Sequence, residues 1–162
     1  MSHHILQRRI GTPLGAVTLA RSAAGLSGLW FDGQKHHPGE LGVPHDDGHD
    51  PVLSGAQAAL TAYFSGKPFD VPPLDPAGTP FQRAVWQALL DIEAGASDTY
   101  GRLAERLGRA QAARALGAAV GRNPISILIP CHRVVGANGS LTGYAGGLDR
   151  KKALLSLEGA AG

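Results

Sequence analysis

The chain has 162 residues, of which 43% are hydrophobic and one is cysteine, enough apolar material for one large domain or two small ones. The single cysteine excludes an internal disulfide framework and predicts a reducing, cytoplasmic setting. No stretch approaches the ~20 continuous apolar residues of a membrane-spanning helix, and the start of the chain carries no signal-peptide pattern. We therefore expect neither membrane insertion nor export.

The charge is small overall but unevenly distributed. The formal net charge is +2, with −2 over residues 1–80 and +4 over residues 81–162, and residues 99–152 alone carry a surplus of +7. Such a surplus predicts a polyanionic partner for the second half, with nucleic acid favoured over membrane. A solvated charged face without a partner is the alternative that charge alone leaves open.

The first half of the chain predicts a small α/β unit. Apolar residues at helical spacing run from Leu53 to Phe64 and stop at Gly66. A proline-rich stretch follows over residues 67–78, so we place a domain boundary there, with residues 1–75 in the first domain and 76–162 in the second. Three short apolar runs separated by turn residues precede the helix and indicate an antiparallel meander: Ile5–Ile10, Val17–Ala20 and Leu26–Phe31.

The loop over residues 33–50 is rich in histidine and aspartate. The spacing of these residues matches no metal-ligand template, and such loops are usually solvated, so we expect no metal site and no cofactor. The residues that could be drawn as a metal site are His36, His37, His45, Asp46, Asp47, His49 and Asp50.

The second half begins with helices in helix-turn-helix spacing. Thr79 and Pro80 form a strong helix start. Two short helices follow, predicted over Thr99–Leu107 and Gln111–Val120, each closed by a glycine. In the second of these, Arg114 is the one long side chain on a face of small residues. That face fits close approach to a DNA groove, and tight packing on a neighbouring helix is the alternative. One face is formed by Leu116, Ala119 and Val120, and the other by Gln111, Arg114, Gly117, Ala118 and Gly121.

Cys131 lies beside His132, directly after the apolar run Ile125–Ile129. A lone thiol next to a base is typical of a nucleophile, although a small buried hydrophobe is the reading that residue type alone favours. Adjacent side chains in extended backbone point to opposite sides, so contact between the thiol and the imidazole needs either a turn or a bridging water, and we favour the water.

The segments after the cysteine predict a hairpin, an aromatic loop and a last helix. Asn138 and Gly139 are typical of a tight hairpin turn within Val134–Thr142. Tyr144 on a glycine-rich segment fits closure over a planar ligand, or else a core anchor. The last helix spans Asp149–Glu158, and Glu158 at its negative end needs a partner, for which we propose His132; a solvated glutamate is the alternative.

The run from Asn123 to Val135, centred on Pro130-Cys131-His132-Arg133, closely resembles the active-site signature of the O6-alkylguanine-DNA alkyltransferases, the methylated-DNA-protein-cysteine methyltransferases. The resemblance covers about Thr79 to Gly159. It implies a mixed α/β (α+β) protein with an N-terminal ribonuclease-H-like α/β domain. A winged-helix-like, helix-turn-helix domain would follow and hold the thiol.

The resemblance also implies roles for individual residues. Cys131 resembles the alkyl acceptor, His132 the base that acts through a water, and Glu158 the carboxylate that orients it. Asn123 matches the residue that ties together the turn before the active-site strand, and Tyr100 the one that protonates the leaving purine. Tyr144 resembles the wall of the base pocket, which the backbone around Val134 and Ala145 completes. Arg114 matches the arginine that fills the vacated place in the base stack, and the further DNA contacts expected are Thr99, Gln111, Gly117, Ala118 and Arg122.

The implied activity is irreversible transfer of the alkyl group from O6-alkylguanine, and from O4-alkylthymine, in double-stranded DNA to Cys131. Each protein would act once, as a monomer, without a cofactor, and the second helix would dock in the minor groove. One departure from the family is the loop Ile92–Thr99, in which Asp98 adds negative charge near the expected DNA face. A non-enzymatic DNA binder and a thiol hydrolase are the two other classes that remain open.

Overall fold

The computed structural model describes residues 3–159, which divide into two compact units. The first unit comprises the chain up to Ala77 together with Pro124–Leu128, and the second comprises Gly78–Asn123 and the chain from Ile129 onward. The boundary placed at residues 75 and 76 left residues 124–128 in the second domain, whereas they cluster with the first unit. Among residues 3–159, no helix has the length and apolar character needed to cross a bilayer.

The first unit is an antiparallel meander with one helix, so the mixed α/β class is confirmed. The strands pair in the order β1-β2-β3, with Thr12 opposite Gly15 at the first hairpin. Asp50 caps the helix by accepting from the amide of Leu53, and Pro51 occupies the first turn. The elements are β1 (Leu6–Thr12), β2 (Gly15–Arg21), β3 (Leu26–Phe31) and α1 (Pro51–Phe64).

Strand β3 lies at the end of the sheet but is buried along its whole length. Its free edge forms one bridge to Leu74 and another to Ile125, which lies in the returning segment, residues 124–128. These bridges cover backbone groups that an edge strand leaves unpaired. The returning segment therefore completes the core of the first unit. Within β3, a Cβ on Gly28 would come within 2.0 Å of the Trp30 ring, so only glycine fits beneath that ring.

The histidine- and aspartate-rich loop is tied down by its acidic residues. Asp46 accepts from Nε of Arg8 at 2.9 Å, and Asp50 accepts from Arg21 at 2.9 Å in addition to capping α1. Hydrogen bonds from Arg8 hold the pKa of Asp46 down at about 2. Within residues 3–159, no cluster of three or more His, Cys, Asp or Glu side chains is placed to hold a metal ion.

The second unit begins with the predicted helix start. Thr79 and Gln82 form a reciprocal capping box at the start of the helix, which has Pro80 in its first turn. The second helix of the helix-turn-helix pair begins at Ala113 and not at Gln111, which lies in the preceding turn. Its N-cap residue, Ala112, makes no side-chain hydrogen bond to the first amides of the helix. The elements are α2 (Pro80–Leu89), β4 (Asp98–Thr99), α3 (Tyr100–Arg106), α4 (Ala113–Gly121), β5 (Val134–Val135) and α5 (Leu148–Leu157).

Two predictions of local structure around the cysteine are wrong. Cys131–Arg133 form a short 3-10 helix, whereas extended backbone was expected. Val134–Val135 pair in parallel with β4, and the turn at Gly139 is present without the hairpin ladder. Turn propensity is a local signal, but the partner of a strand is chosen by tertiary packing.

Candidate active site and nucleic-acid interface

Cys131 is held by turns on both sides in the second unit. Its amide donates to the carbonyl of Ile129 at 2.8 Å across an inverse γ-turn centred on Pro130, and the 3-10 turn follows. The side chain of Asn123 donates to the Ile129 carbonyl at 2.8 Å and also hydrogen-bonds the thiol. Asn123 therefore ties together the turn before the cysteine.

The thiol of Cys131 needs a base. The residue is only 5% exposed, and burial raises the pKa of the thiol to about 11, although the Asn123 hydrogen bond and the positive charge of Lys151 oppose the shift. A thiol with this pKa is almost wholly protonated at neutral pH, so it is a poor nucleophile until a neighbour accepts its proton.

His132 and Glu158 form a buried pair that supplies such a base. Nε2 of His132 lies 2.7 Å from Oε2 of Glu158, with both side chains almost fully buried. An ionised carboxylate only accepts, so the proton of the neutral imidazole lies on Nε2 and Nδ1 is left as an acceptor. Burial is the main cause of the lowered pKa of His132, and the Glu158 hydrogen bond opposes it.

The Nδ1 atom of His132 is buried and has no hydrogen-bond partner among the described residues. Buried polar groups of this kind are rarely left unpaired, and a bound water is the usual partner. In a 3-10 turn, successive side chains are about 120° apart. Cys131 and His132 therefore do not point in opposite directions, as extended backbone would have required.

Two tyrosines lie near this group. Burial raises the pKa of Tyr100, whose hydroxyl hydrogen-bonds the side chain of Thr142 and which interacts electrostatically with Cys131. The ring of Tyr144 meets the ring of His132 edge-on at 6.4 Å between centroids. A Cβ on Gly146 would come within 2.6 Å of the Tyr144 ring, so the glycine-rich loop is what allows that ring to lie there.

The other predicted pocket residues adjoin these rings. Val134 is fully buried in β5, and its carbonyl accepts from Nζ of Lys151 at 2.5 Å. Ala145 is half-buried next to Tyr144. The contact of this backbone with a guanine base stays a prediction.

Helix α4 presents the two faces that the sequence predicted. Leu116, Ala119 and Val120 are buried, and the indole N–H of Trp86 on α2 donates to the carbonyl of Ala119 at 2.8 Å, which fixes the helix on its unit. Arg114, Ala118 and Arg122 are exposed, as is Gln111 in the preceding turn.

Two of the residues expected to contact DNA have other neighbours. Thr99 is half-buried and serves as the N-cap of α3, accepting from the amide of Arg102. Gly117 is also half-buried, and a Cβ there would lie 3.9 Å from the Tyr100 ring. Their contact with DNA stays a prediction.

Family models match both units of the chain. Residues 5–75 match the ribonuclease-like domain of 6-O-methylguanine DNA methyltransferase, and residues 80–160 match the DNA-binding domain of the same protein. The chain belongs to the 6-O-methylguanine DNA methyltransferase family. The resemblance noted in the sequence is therefore confirmed, together with the ribonuclease-like and DNA-binding halves that it implied.

Relatives in this family align along almost the whole chain. The methylated-DNA–protein-cysteine methyltransferase of Mycobacterium tuberculosis is 48% identical over 153 residues, covering 93% of this chain and 90% of its own. The one from Methanosarcina acetivorans is 47% identical over 152 residues, covering 91% and 94%.

Solved structures give the same family. The crystal structure of Mycobacterium tuberculosis OGT in complex with DNA superposes with a TM-score of 0.86 at 46% identity, covering 96% of this chain and 93% of that one. An O6-methylguanine DNA methyltransferase from Methanococcus jannaschii has a TM-score of 0.68 at 30% identity, covering 93% and 92%.

Several charged residues have roles that the sequence analysis missed. Lys151 belongs to the basic surplus of the sequence, but it is fully buried, and its Nζ donates to the carbonyls of Val134 and Thr142 at 2.5 and 2.7 Å. Burial lowers the pKa of Lys151 to about 8. Its position three and four residues before the buried Leu154 and Leu155 is the signal that places it on the inner face of α5.

Asp98 does not carry the free negative charge that the sequence predicted near the expected DNA face. Its side chain is 7% exposed and forms an ion pair with Arg106 on α3 at 2.7 Å. Its other oxygen accepts from the amide of Thr99 at 2.8 Å. Arg106 and Lys151 are therefore paired within the second unit. The positive charge available to a polyanion is smaller than the +7 counted from the sequence.

Proposed function

We propose that this chain repairs double-stranded DNA by transferring the alkyl group of O6-alkylguanine, and of O4-alkylthymine, irreversibly to Cys131, once per molecule. The observation that carries the proposal is the buried series of Cys131, His132 and Glu158, in which the imidazole Nδ1 is left as a buried acceptor. The family membership and a structural relative solved in complex with DNA support the same activity.

The transfer begins with proton removal from the thiol. The proton of Cys131 passes, through a water, to Nδ1 of His132, while Glu158 stabilises the imidazolium through Nε2. The thiolate then attacks the alkyl carbon, an S–C bond forms, and the C–O6 bond breaks with its electron pair left on the purine. Tyr100, kept protonated by its raised pKa, donates a proton to the leaving purine.

The thioether has no route back to a thiol at this site, so one molecule repairs one lesion. No step calls for a cofactor. The nucleophile is a thiol, and for this reason the proposal includes a reducing, cytoplasmic location.

The thiol is recessed, so the target nucleobase must be brought to it. Cys131 is only 5% exposed, and a stacked guanine cannot bring its O6 to a recessed sulfur, so the target nucleotide must rotate out of the duplex. We propose that α4 docks in the minor groove, that Arg114 fills the vacated place, and that Tyr144 lines the pocket. Exposed Ala118, together with Gln111 and Arg122, would contact the backbone, with Thr99 and Gly117 at the edge of that surface.

The deciding experiment mixes the protein with duplex DNA containing one O6-methylguanine and weighs the peptide that bears Cys131. We expect one methyl group on that peptide per lesion lost, and none in Cys131→Ser, a variant with nearly the same volume. Loss of the lesion without methyl on Cys131 would contradict the mechanism. Binding without loss of the lesion would favour a DNA binder, and turnover of a small ester without change at Cys131 would favour a hydrolase.

A further inference from the structure

The carboxylate of Glu158 is shared between two side chains of the 3-10 turn. Oε2 of Glu158 lies 2.7 Å from Nε2 of His132, and Arg133 donates from Nε to Oε1 at 2.8 Å and from Nη2 to Oε2 at 3.0 Å. The pairing with Arg133 is bidentate, the geometry that fixes the plane of a carboxylate as well as its distance.

Arg133 is itself held from a second direction. Its Nη1 donates to the carbonyl of Ile92 at 2.6 Å, and the side chain is 12% exposed. The guanidinium therefore joins the start of the loop after α2 to the end of α5. Because a guanidinium remains charged at all accessible pH values, it cannot be discharged by the proton transfers beside it.

Glu158 has an unfavourable position without that cation. It is the C-cap of α5, where the partial negative charge of the helix end opposes a carboxylate, and its side chain is 2% exposed. A neutral His132 does not compensate the charge. The bidentate arginine does, and it also holds the carboxylate aligned on His132.

The charges around His132 act in opposite directions. Glu158 of α5 favours the imidazolium, whereas Arg133 of the 3-10 turn and Lys151 of α5 disfavour it, and burial disfavours it further. Cys131 adjoins it in the turn, and Tyr144 of the glycine-rich loop presents its ring. Without Arg133, the undivided charge of Glu158 would stabilise the imidazolium, which has no lone pair to accept the thiol proton.

We propose that Arg133 is a positioning residue that aligns Glu158 on Nε2 of His132 and keeps the resting imidazole neutral, with Nδ1 as the acceptor for the Cys131 proton. This inference rests on the proposed transfer to Cys131. Arg133 acts through Glu158 and touches neither the alkyl group nor the purine in the proposed mechanism.

The test measures the rate at which free O6-benzylguanine benzylates Cys131 from pH 4.5 to 9, by mass of the Cys131 peptide. The free base removes any effect of Arg133 on DNA binding. Arg133→Gln is expected to move the acid limb of the profile up by about one pH unit, which is about a tenfold slower reaction at a pH on that limb. Arg133→Lys keeps the charge but cannot make the bidentate hydrogen bonds to Glu158. It is therefore expected to slow the reaction while keeping the wild-type acid limb. Arg83→Gln, an exposed arginine of α2, is the matched control.

A second readout does not depend on activity. The ring nitrogens of His132 are titrated by ¹⁵N NMR in the unreacted protein, and Arg133→Gln is expected to raise the midpoint by about one unit. In a Glu158→Gln background the same substitution is expected to raise it by less, because only the direct repulsion between Arg133 and the imidazolium remains. The two-background comparison separates a charge effect from loss of packing.

The outcomes distinguish the inference from the function on which it rests. A wild-type protein that takes up no methyl group from duplex DNA containing O6-methylguanine refutes the proposed function, while the His132 titration still tests Arg133. Equal slowing at every pH with an unmoved titration assigns Arg133 a purely structural role and overturns the inference. A shifted acid limb in Arg133→Lys also overturns it. If Arg133→Gln does not fold, the inference is tested by the pH–rate profile and the His132 titration of Arg133→Lys.

Discussion

The ion pair between Arg8 and Asp46 makes the histidine-rich loop part of the fold of the first unit. Replacing Asp46 with Asn removes the charge while keeping the size of the side chain. Asp46 is 3% exposed and accepts from two nitrogens of Arg8, and one of its oxygens also accepts from the amide of Asp50 at 3.3 Å. The native contacts therefore favour the ionised form over the neutral form.

The expected loss of stability can be worked from this preference. The pKa of Asp46 falls from 3.8 to about 2, and a shift of nearly two units corresponds to about 2 kcal/mol of folding free energy at pH 7. In the variant, the Arg8 guanidinium still has hydrogen-bond partners in Gln57 and Ser54, at 3.0 and 3.1 Å. We expect Asp46→Asn to lower the free energy of unfolding by about 2 to 3 kcal/mol.

The pH dependence has a definite sign. The folded-state pKa is below the unfolded value, so the contribution is complete above about pH 4 and is lost as the pH falls toward 2. The measurement is urea unfolding of wild type and Asp46→Asn at pH 7, 5 and 3. The difference between the two proteins should be equal at pH 7 and 5 and smaller at pH 3.

Asp47 provides the control for this substitution. Its side chain is 80% exposed, so Asp47→Asn is expected to change the free energy of unfolding by less than about 0.5 kcal/mol. Equal effects of the two substitutions, or a difference for Asp46→Asn that does not shrink at acid pH, would refute the reasoning.

Three further predictions concern the second unit. Arg114→Ala should slow repair of duplex DNA at least tenfold while leaving the reaction with free O6-benzylguanine within about twofold, and equal losses in the two rate measurements would reject its role in the base stack. Asp98→Ala should lower the free energy of unfolding by about 1 to 2 kcal/mol by removing the partner of Arg106, against little change for the exposed Asp91→Ala. Lys151 has a folded-state pKa of about 8 against 10.5 when unfolded, so the unfolded state binds more protons between these values and stability rises with pH there by about 3 kcal/mol. Lys151→Met should lack this rise in urea unfolding from pH 8 to 10.5, with both proteins carrying Cys131→Ser so that the thiol does not titrate; an equal rise in both would contradict it.

The sequence alone was sufficient for features that depend on neighbouring residues. The meander, the helix start at Thr79 and the buried face of α4 were all readable, because caps and hydrophobic periodicity act within a few residues. The thiol and its adjacent histidine were also evident, because one short and specific motif holds both. The contact of His132 with Glu158 was expected for a physical reason, the cost of a carboxylate at a helix end.

Tertiary structure decided everything that depends on which distant residues meet. Arg133 reaches Ile92, 41 positions away, and Lys151 turns inward to carbonyls that only the folded loop presents. Both residues count simply as positive charge in the sequence. The 3-10 turn at Cys131 and the return of residues 124–128 to the first unit have the same origin. A short segment takes the backbone that its packed neighbours stabilise, and its local propensity is too weak to oppose them.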